Sequence, residues 1–190
     1  EKNFVTRLGF ATTRYAEVSS AASLHAAVAL IGLPAVLKTR RFGYDGKGQI
    51  TIRAGDDLDA AWARLATRAA ILEAFVPFER EISVIAARGA DGRIVSFDVT
   101  ENEHHNHILK VSRAPARITP ELAAEARSIA GAISEALGYV GVLGVEMFVV
   151  ADNGTGRLLV NEIAPRVHNS GHWTLDGCSV SQFEQHIRAI

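Results

Sequence analysis

Asn161-Glu-Ile-Ala-Pro-Arg-Val-His-Asn-Ser-Gly-His-Trp173 is the stretch from which the rest of this chain can be read. Its last eight residues bring a guanidinium, two imidazoles, an amide, a hydroxyl and a glycine together, directly behind the apolar run Leu158-Leu-Val160. A segment so dense in donors and acceptors cannot be buried without dedicated partners. It reads as a polar loop on the end of a core strand, the usual place for a ligand on a rigid scaffold. A capped turn whose groups satisfy one another is the alternative, but such a turn rarely needs this many ionisable groups.

Working outward, Arg157–Ile163 and Val142–Val150 read as a hairpin about Asp152-Asn-Gly154. Each strand carries one acid in an otherwise apolar run, Glu146 and Glu162. If the strands pair about their turn, both carboxylates can sit on one face, where two like charges call for a divalent cation. Asn161 adds a neutral oxygen, and the set suits Mg2+ with a phosphate as co-ligand. Salt bridges from each glutamate to an arginine are the alternative, since buried carboxylates are usually paired.

The remaining pattern predicts an α+β chain. A helix over residues 1–8 runs into Gly9, and a strand over 13–18 precedes a helix over 21–31, with Ser20 as cap and Gly32 as left-handed stop. Strands follow at 35–39 and 49–53, then a helix capped by Asp56 and running to about Arg68, with Leu58, Trp62 and Leu65 on one face. A strand over 71–75 is interrupted by Val76-Pro77. Beyond it, 81–88 and 93–100 flank the turn Gly89-Ala-Asp-Gly92, and 107–113 is a further strand. Thr119-Pro120 opens a helix to Leu137 with Leu122, Ala126, Ile129, Ile133 and Leu137 in one stripe, and 183–190 reads as a last helix. The expected organisation is a connector or end of a preceding domain at 1–12, a small lobe at 13–76 and a large lobe at 77–190. Each lobe is a mainly antiparallel sheet with helices on one side, and a small ligand is expected in the cleft that they enclose. Both ends read as cuts through structure, predicting a longer enzyme.

In the small lobe, Arg40-Arg-Phe-Gly-Tyr-Asp-Gly-Lys-Gly48 lets backbone N–H groups at Gly43, Gly46 and Gly48 converge on an anion. Lys38, Arg40, Arg41 and Lys47 add positive charge. The G-K-[ST] ending of the P-loop is missing, so a glycine-rich hairpin tip remains open as the plainer reading. Lys38, however, lies within the apolar Pro34-Ala-Val-Leu-Lys38 and needs a counter-charge, which a phosphate supplies. Glu73 and Glu81 near the lobe junction are candidates for an amine or a ribose; Glu79 reads as a solvated partner of Arg80. Glu101-Asn-Glu-His-His-Asn-His107 has the composition of a metal site, but its spacing fits no tetrahedral zinc template. His25 and His186 read as ordinary helix residues.

Bulk properties exclude several classes. A chain of 190 residues, 48% hydrophobic, is long enough for a real core. A net charge of −1 disfavours nucleic acid or an anionic membrane as main partner. The single cysteine, Cys178, fits a reducing compartment, the cytoplasm, and no apolar run reaches the length of a membrane span.

Lys38, Gly43-Tyr-Asp-Gly-Lys-Gly-Gln49, Phe78-Glu-Arg-Glu-Ile-Ser83, Val145-Glu-Met-Phe148, the 161–173 loop and the closing segment Ser181 to Ile190 together resemble the ATP-grasp superfamily. Within it they are similar to the 5-(carboxyamino)imidazole ribonucleotide synthetases of purine biosynthesis. The resemblance implies ATP between two lobes, with Lys38, Gly43, Tyr44, Asp45, Gly46, Lys47, Gly48 and Gln49 around the phosphates. Tyr44 and Asp45 would also face the imidazole of the substrate. It implies Glu73, Ala74, Phe75 and Val76 at an adenine hinge, Glu81 on the ribose and His104 bordering the nucleotide. Glu146, Glu162 and Asn161 would hold Mg2+. The implied reaction phosphorylates bicarbonate to carboxyphosphate and carboxylates the amine of aminoimidazole ribonucleotide, with Arg166, His168 and Asn169 on the carbonate-derived part. Such enzymes carry a preceding α/β domain and a following domain that helps hold the substrate phosphate, so this chain is expected to correspond to their ATP-grasp core, with a homodimer implied for the full-length enzyme. Glu101-Asn-Glu-His104 departs from the more apolar segment expected there. A formate-using carboxylate–amine ligase and a nucleotide-binding module without turnover are the other readings.

Overall fold

The computed structural model describes residues 1–40, 48–152 and 156–190. The chain forms two compact units: Thr13–Pro77 with Asn106–Ile108, and Glu1–Thr12 with Phe78–His105 and Leu109–Ile190. The boundary at Pro77 falls where the proline interrupts the apolar run. Residues 1–12, read from the sequence as a connector, belong to the larger unit. There α1 (Lys2–Arg7) buries Val5 in the core.

The smaller unit is a four-stranded antiparallel sheet in the order β1-β4-β2-β3, from β1 (Tyr15–Val18), β2 (Ala35–Thr39), β3 (Gln49–Ile52) and β4 (Ala70–Ala74). Its helices are α2 (Ala21–Ile31) and α3 (Leu58–Leu65). Val18, Ala35, Leu37, Ile52, Ala70 and Leu72 point at them and form one core with Leu24, Ala27, Ile31, Ala61 and Leu65. Ser20 caps α2 through a reciprocal box with Ser23. Gly32 follows with φ +85° but an extended ψ, so the helix ends without the expected left-handed turn. The α3 cap is Asp57, one residue later than the sequence suggests, because Asp57 Oδ1 accepts from the N–H groups of Asp59 and Ala60. Asp56 instead accepts from Arg53 N–H in the preceding turn, and the helix stops at Ala66, itself left-handed, rather than near Arg68.

The larger unit is a six-stranded antiparallel sheet. It comprises β5 (Arg80–Arg88), β6 (Ile94–Ser96), β7 (Thr100–His105), β8 (Ile108–Arg113), β9 (Gly141–Val150) and β10 (Arg157–Ala164). The order is β10-β9-β5-β7-β8, with β6 paired to the far end of β5. The strand expected over 93–100 is thus two pieces, and the polar 101–107 cluster is largely strand. Asn106 and His107 both have positive φ and close a tight β7–β8 turn, so the strand expected from 107 begins at Ile108. The turn residues Asn153 and Gly154 lie outside the described residues, but the strands they join pair antiparallel as expected.

One face of this sheet packs on α4 (Pro120–Leu137), capped by Thr119 with Pro120 in the first turn. Leu122, Ala126, Ile129 and Ile133 meet Ile82, Val84, Leu143, Val145 and Met147 there, whereas Leu137 at the helix end is 43% exposed and off the stripe. The opposite face is covered in part by a 3-10 turn (Asn169–Gly171) and α6 (Gln182–Ala189), with the short helix α5 (Thr174–Gly177) between them in sequence. Helices therefore lie on both faces of the larger sheet, not on one as expected. The polar loop after β10 folds back over the second face, which no local pattern in the sequence signals.

Candidate functional site

The larger unit's second face is the candidate site, and its key geometry comes from a β-bulge. From Arg157 to Val160 the β10 strand pairs regularly with β9, placing Val160 opposite Met147. Continued unbroken, that register would set Glu162 opposite Val145 and turn it to the other face from Glu146. The register instead shifts by one between Val160 and Glu162, so Glu162 lies directly opposite Glu146. The N-terminal segment supports the bulge. Lys2 Nζ donates to Asn161 O at 2.9 Å, and Ile163 N–H donates to the Glu1 carboxylate at 3.0 Å.

Glu162 bears on its neighbour across the strands. Burial and the facing Glu162 charge push Glu146 up to about 7, against the pull of His104 and Arg166. On the same face, paired opposite Phe148 and Asn102, Glu81 accepts from His104 Nδ1 at 2.7 Å. That hydrogen bond raises the His104 pKa, with Glu146 and Glu162 adding to it.

The 165–173 loop seats His168 over this face. Its Nε2 is 3.9 Å from Glu146 Oε1. Burial pulls the imidazole down to about 4, helped by Arg166, so His168 is neutral at ordinary pH. Arg166 is exposed, and its Nη1 donates to Val167 O. Asn169 Oδ1 accepts from Ser170 N–H at 2.9 Å, which helps shape the 3-10 turn. Gln182, fully buried at the start of α6, grips the loop at both backbone atoms of His168, accepting from its N–H at 3.0 Å and donating to its carbonyl at 2.7 Å. Gly144 of β9 leaves room for the ring: a Cβ there would stand 2.9 Å from His168 Cβ.

In the smaller unit, Lys38 and Gln49 are direct partners across β2 and β3, and Lys38 lies diagonally from Glu73 on β4. All three share the sheet face turned away from α2 and α3. Lys38 Nζ contacts Glu73 Oε2 at 2.8 Å. The counter-charge that a phosphate was expected to supply is therefore met inside the protein by Glu73. Ala74 and Phe75 direct their N–H groups to the carbonyls of Arg14 and Pro34, and Ala74 O accepts from Thr13. Gly48, at φ +77°, closes the β2–β3 connection by accepting from Thr39 N–H, and a Cβ there would meet the Thr39 hydroxyl at 2.7 Å. Arg41, Gly43, Tyr44, Asp45, Gly46 and Lys47 lie outside the described residues.

The structure divides the 101–107 cluster among separate partners. Glu101 pairs with Arg117 and Arg80, Glu103 with Arg113, His104 with Glu81 and His107 with Gln49. The Arg117 hydrogen bond holds Glu101 below the usual carboxylate range. Among the described residues no group of three or more histidine, cysteine, aspartate or glutamate side chains is arranged to hold a metal by itself. The glutamate pair therefore suits an ion that completes its shell with ligand oxygens and water, as Mg2+ does. His186, read as an ordinary helix residue, accepts from Val142 N–H through Nδ1. Sequence reasoning missed Ser83, Asn102, Gly144 and Gln182. Two signals were available: Ser83 interrupts an apolar run as Glu146 does, and Gly144 sits mid-strand, where glycine often marks a close approach.

Two acids facing each other across β9 and β10 in one sheet, and a lysine within a strand of a second, smaller sheet, are the marks of these two units. Residues 3–183 match the ATP-grasp domain, and the chain belongs to that family. Among its relatives, the N5-carboxyaminoimidazole ribonucleotide synthase of Brucella melitensis is 50% identical over 192 residues, covering 100% of this chain and 52% of that protein. The ADP complex of an N5-carboxyaminoimidazole ribonucleotide synthetase is similar in structure, with a TM-score of 0.93 and 46% identity over 100% of this chain and 49% of that one. N5-carboxyaminoimidazole synthase of Aspergillus clavatus, solved with ADP and 5-aminoimidazole ribonucleotide, gives a TM-score of 0.87 and 30% identity over 100% of this chain and 49% of that one. The chain spans about half the length of these proteins.

Proposed function

We propose that the protein to which this chain belongs uses ATP to carboxylate 5-aminoimidazole ribonucleotide to N5-carboxyaminoimidazole ribonucleotide in purine biosynthesis, in the cytoplasm. The observation that carries this reading is the bulge-built face on which Glu146 and Glu162 oppose each other beneath a neutral His168 and beside Arg166. Similarity to synthetases of that name along the whole chain supports it.

A bicarbonate oxygen attacks the γ-phosphorus of ATP and ADP leaves, giving carboxyphosphate; the substrate amine then takes the carboxyl carbon, and phosphate departs with loss of a proton from nitrogen. Arg166 offers a planar, permanently charged fork for the bicarbonate and carboxyphosphate oxygens, which a lysine would not match. His168, neutral and fixed in place, contributes one hydrogen bond, and Asn169 stands beside it in the turn. Lys38, Gly48 and Gln49, with the glycine-loop residues 43–47, take the ATP phosphates, and Tyr44 and Asp45 face the imidazole. Residues 73–76 take the adenine and Glu81 the ribose, with His104 beside it. Glu146 and Glu162, with Asn161, would hold Mg2+, which supplies charge neutralisation to the transferring phosphoryl group. Relief of the Glu146–Glu162 repulsion is the physical reason the ion fits.

The test is Arg166→Lys in the full-length protein, with bicarbonate, ATP and aminoimidazole ribonucleotide each varied. ATP affinity is expected to hold while bicarbonate-dependent turnover falls at least about 100-fold, the scale of one preorganised donor in a water-poor site. Near-parental turnover at low bicarbonate, or phosphate release that follows formate rather than bicarbonate, would overturn the reading.

A further inference from the structure

A line of buried polar side chains runs beneath the candidate site, crossing three strands of the larger unit. Ser112 Oγ on β8 donates to Asn102 Oδ1 on β7 at 3.0 Å, and Asn102 Nδ2 donates to Ser83 Oγ on β5 at 3.0 Å. Ser83 Oγ donates to Ser170 Oγ at 2.8 Å, and Ser170 Oγ lies 2.9 Å from His168 Nδ1. Ser83 and Ser170 are fully buried, and Asn102 and His168 nearly so.

The line has a direction. An amide nitrogen only donates, so Ser83 receives at its oxygen and sends its own proton to Ser170. Ser170, already receiving, turns its hydroxyl proton to His168 Nδ1. The Ser170 backbone N–H also reaches Nδ1, at 3.4 Å, but its shorter bond goes to Asn169 Oδ1 at 2.9 Å, so the Ser170 hydroxyl is the donor that decides the ring. A hydroxyl donating to Nδ1 needs the lone pair there, so the single proton of the neutral ring belongs on Nε2, the atom that faces Glu146 at 3.9 Å.

We propose that Asn102, Ser83 and Ser170 are positioning residues that fix His168 as the Nε2–H tautomer, making it an obligate hydrogen-bond donor to an anionic oxygen bound over the Glu146 face. The assignment of that oxygen to the carbonate-derived group rests on the function proposed above; the tautomer does not. Without the line either ring nitrogen could hold the proton, and a fraction of the rings would present a lone pair to an anion. Burying Ser83 and Asn102 in the sheet is intelligible on this basis, since each is satisfied by the next.

The experiment reads the ring directly. The full-length protein, labelled with 15N at histidine, is examined by long-range 1H–15N correlation without nucleotide, with His168 assigned by its loss in His168→Asn. The parent is expected to carry the proton on Nε2. Asn102→Asp replaces the donating amide by an accepting oxygen, so Ser83 must donate towards residue 102 and the line reverses, moving the proton to Nδ1. Ser83→Ala breaks the line and is expected to give a tautomer mixture; it decides the matter should Asn102→Asp fail to fold. A parent ring protonated on Nδ1, or a folded Ser83→Ala ring still wholly Nε2–H, overturns the proposal. Turnover is measured separately: Asn102→Asp should lose about 10- to 100-fold in kcat with KM for ATP unchanged. If the tautomer responds as expected and bicarbonate-dependent turnover does not, the assignment of the bound oxygen fails and the positioning role stands.

Discussion

Gly144→Ala tests the packing that holds His168 over the acidic face. A Cβ added at residue 144 would stand 2.9 Å from His168 Cβ and 3.1 Å from its Cγ. Comfortable carbon–carbon contact is about 3.5–4.0 Å, so the two must separate by roughly 0.5–1 Å. Neither side yields easily. Gly144 is central in β9, between its partners Ile85 and Ala164, and Gln182 grips the His168 backbone at both polar atoms. Overpacking of this kind costs about 1–3 kcal/mol. In a chain of this size each kcal/mol lowers the melting temperature by about 2–4 °C, so the expected fall is roughly 2–12 °C. A displacement near 1 Å at a reacting group costs on the order of 100-fold in turnover, so activity should fall further than stability explains. Gly131→Ala is the control: in mid-α4 nothing lies within 4 Å of the added Cβ, and the better helix former should raise stability by up to about 1 kcal/mol. Thermal unfolding of both variants, with the His168 ring signals, is the assay. A Gly144→Ala protein as stable as its parent, with those signals unmoved, would show that His168 is not seated against β9 as argued.

Glu146→Gln should change stability in a pH-dependent way. The folded state binds a proton at Glu146 more tightly than an ordinary carboxyl at 4.5, so ionising it disfavours folding and parental stability drops as pH rises from 4.5 towards about 7. In metal-free buffer the melting temperature of Glu146→Gln relative to the parent should therefore grow across that window and level off above it; a constant difference would contradict the raised pKa. Lys38 and Glu73 should show coupling in a double-mutant cycle with Lys38→Met and Glu73→Gln, of about 1–3 kcal/mol from unfolding midpoints, since the pair is largely shielded from water. The same Lys38→Met protein should bind ATP at least about 10-fold more weakly by calorimetry, the scale of one charge-assisted contact. Equal affinity would leave Lys38 a purely internal partner of Glu73.

By itself the sequence determined the elements and much of the site's inventory, because those depend on local chemistry. Strand and helix periods, the caps Ser20 and Thr119, the Gly89–Gly92 turn and the break at Pro77 are written in neighbouring residues. So is the oddity of Lys38, Glu146 and Glu162 in apolar strands, and of Arg166 and His168 in the loop behind them. Only the tertiary structure decided which of these groups meet. The bulge after Val160 brings Glu162 to the same face as Glu146, and it is held by Glu1 and Lys2, some 160 residues away in the chain. Glu73 satisfies Lys38 because β2 and β4 are neighbours, although a helix and another strand separate them in sequence. The neutral state of His168 comes from burial of its own folded-back loop against the sheet, and its orientation from Ser83 and Asn102 on strands that no local pattern places under it. Register, burial and long-range pairing are properties of the packed sheet, so a one-residue shift that leaves every local signal intact can still decide which face a carboxylate occupies.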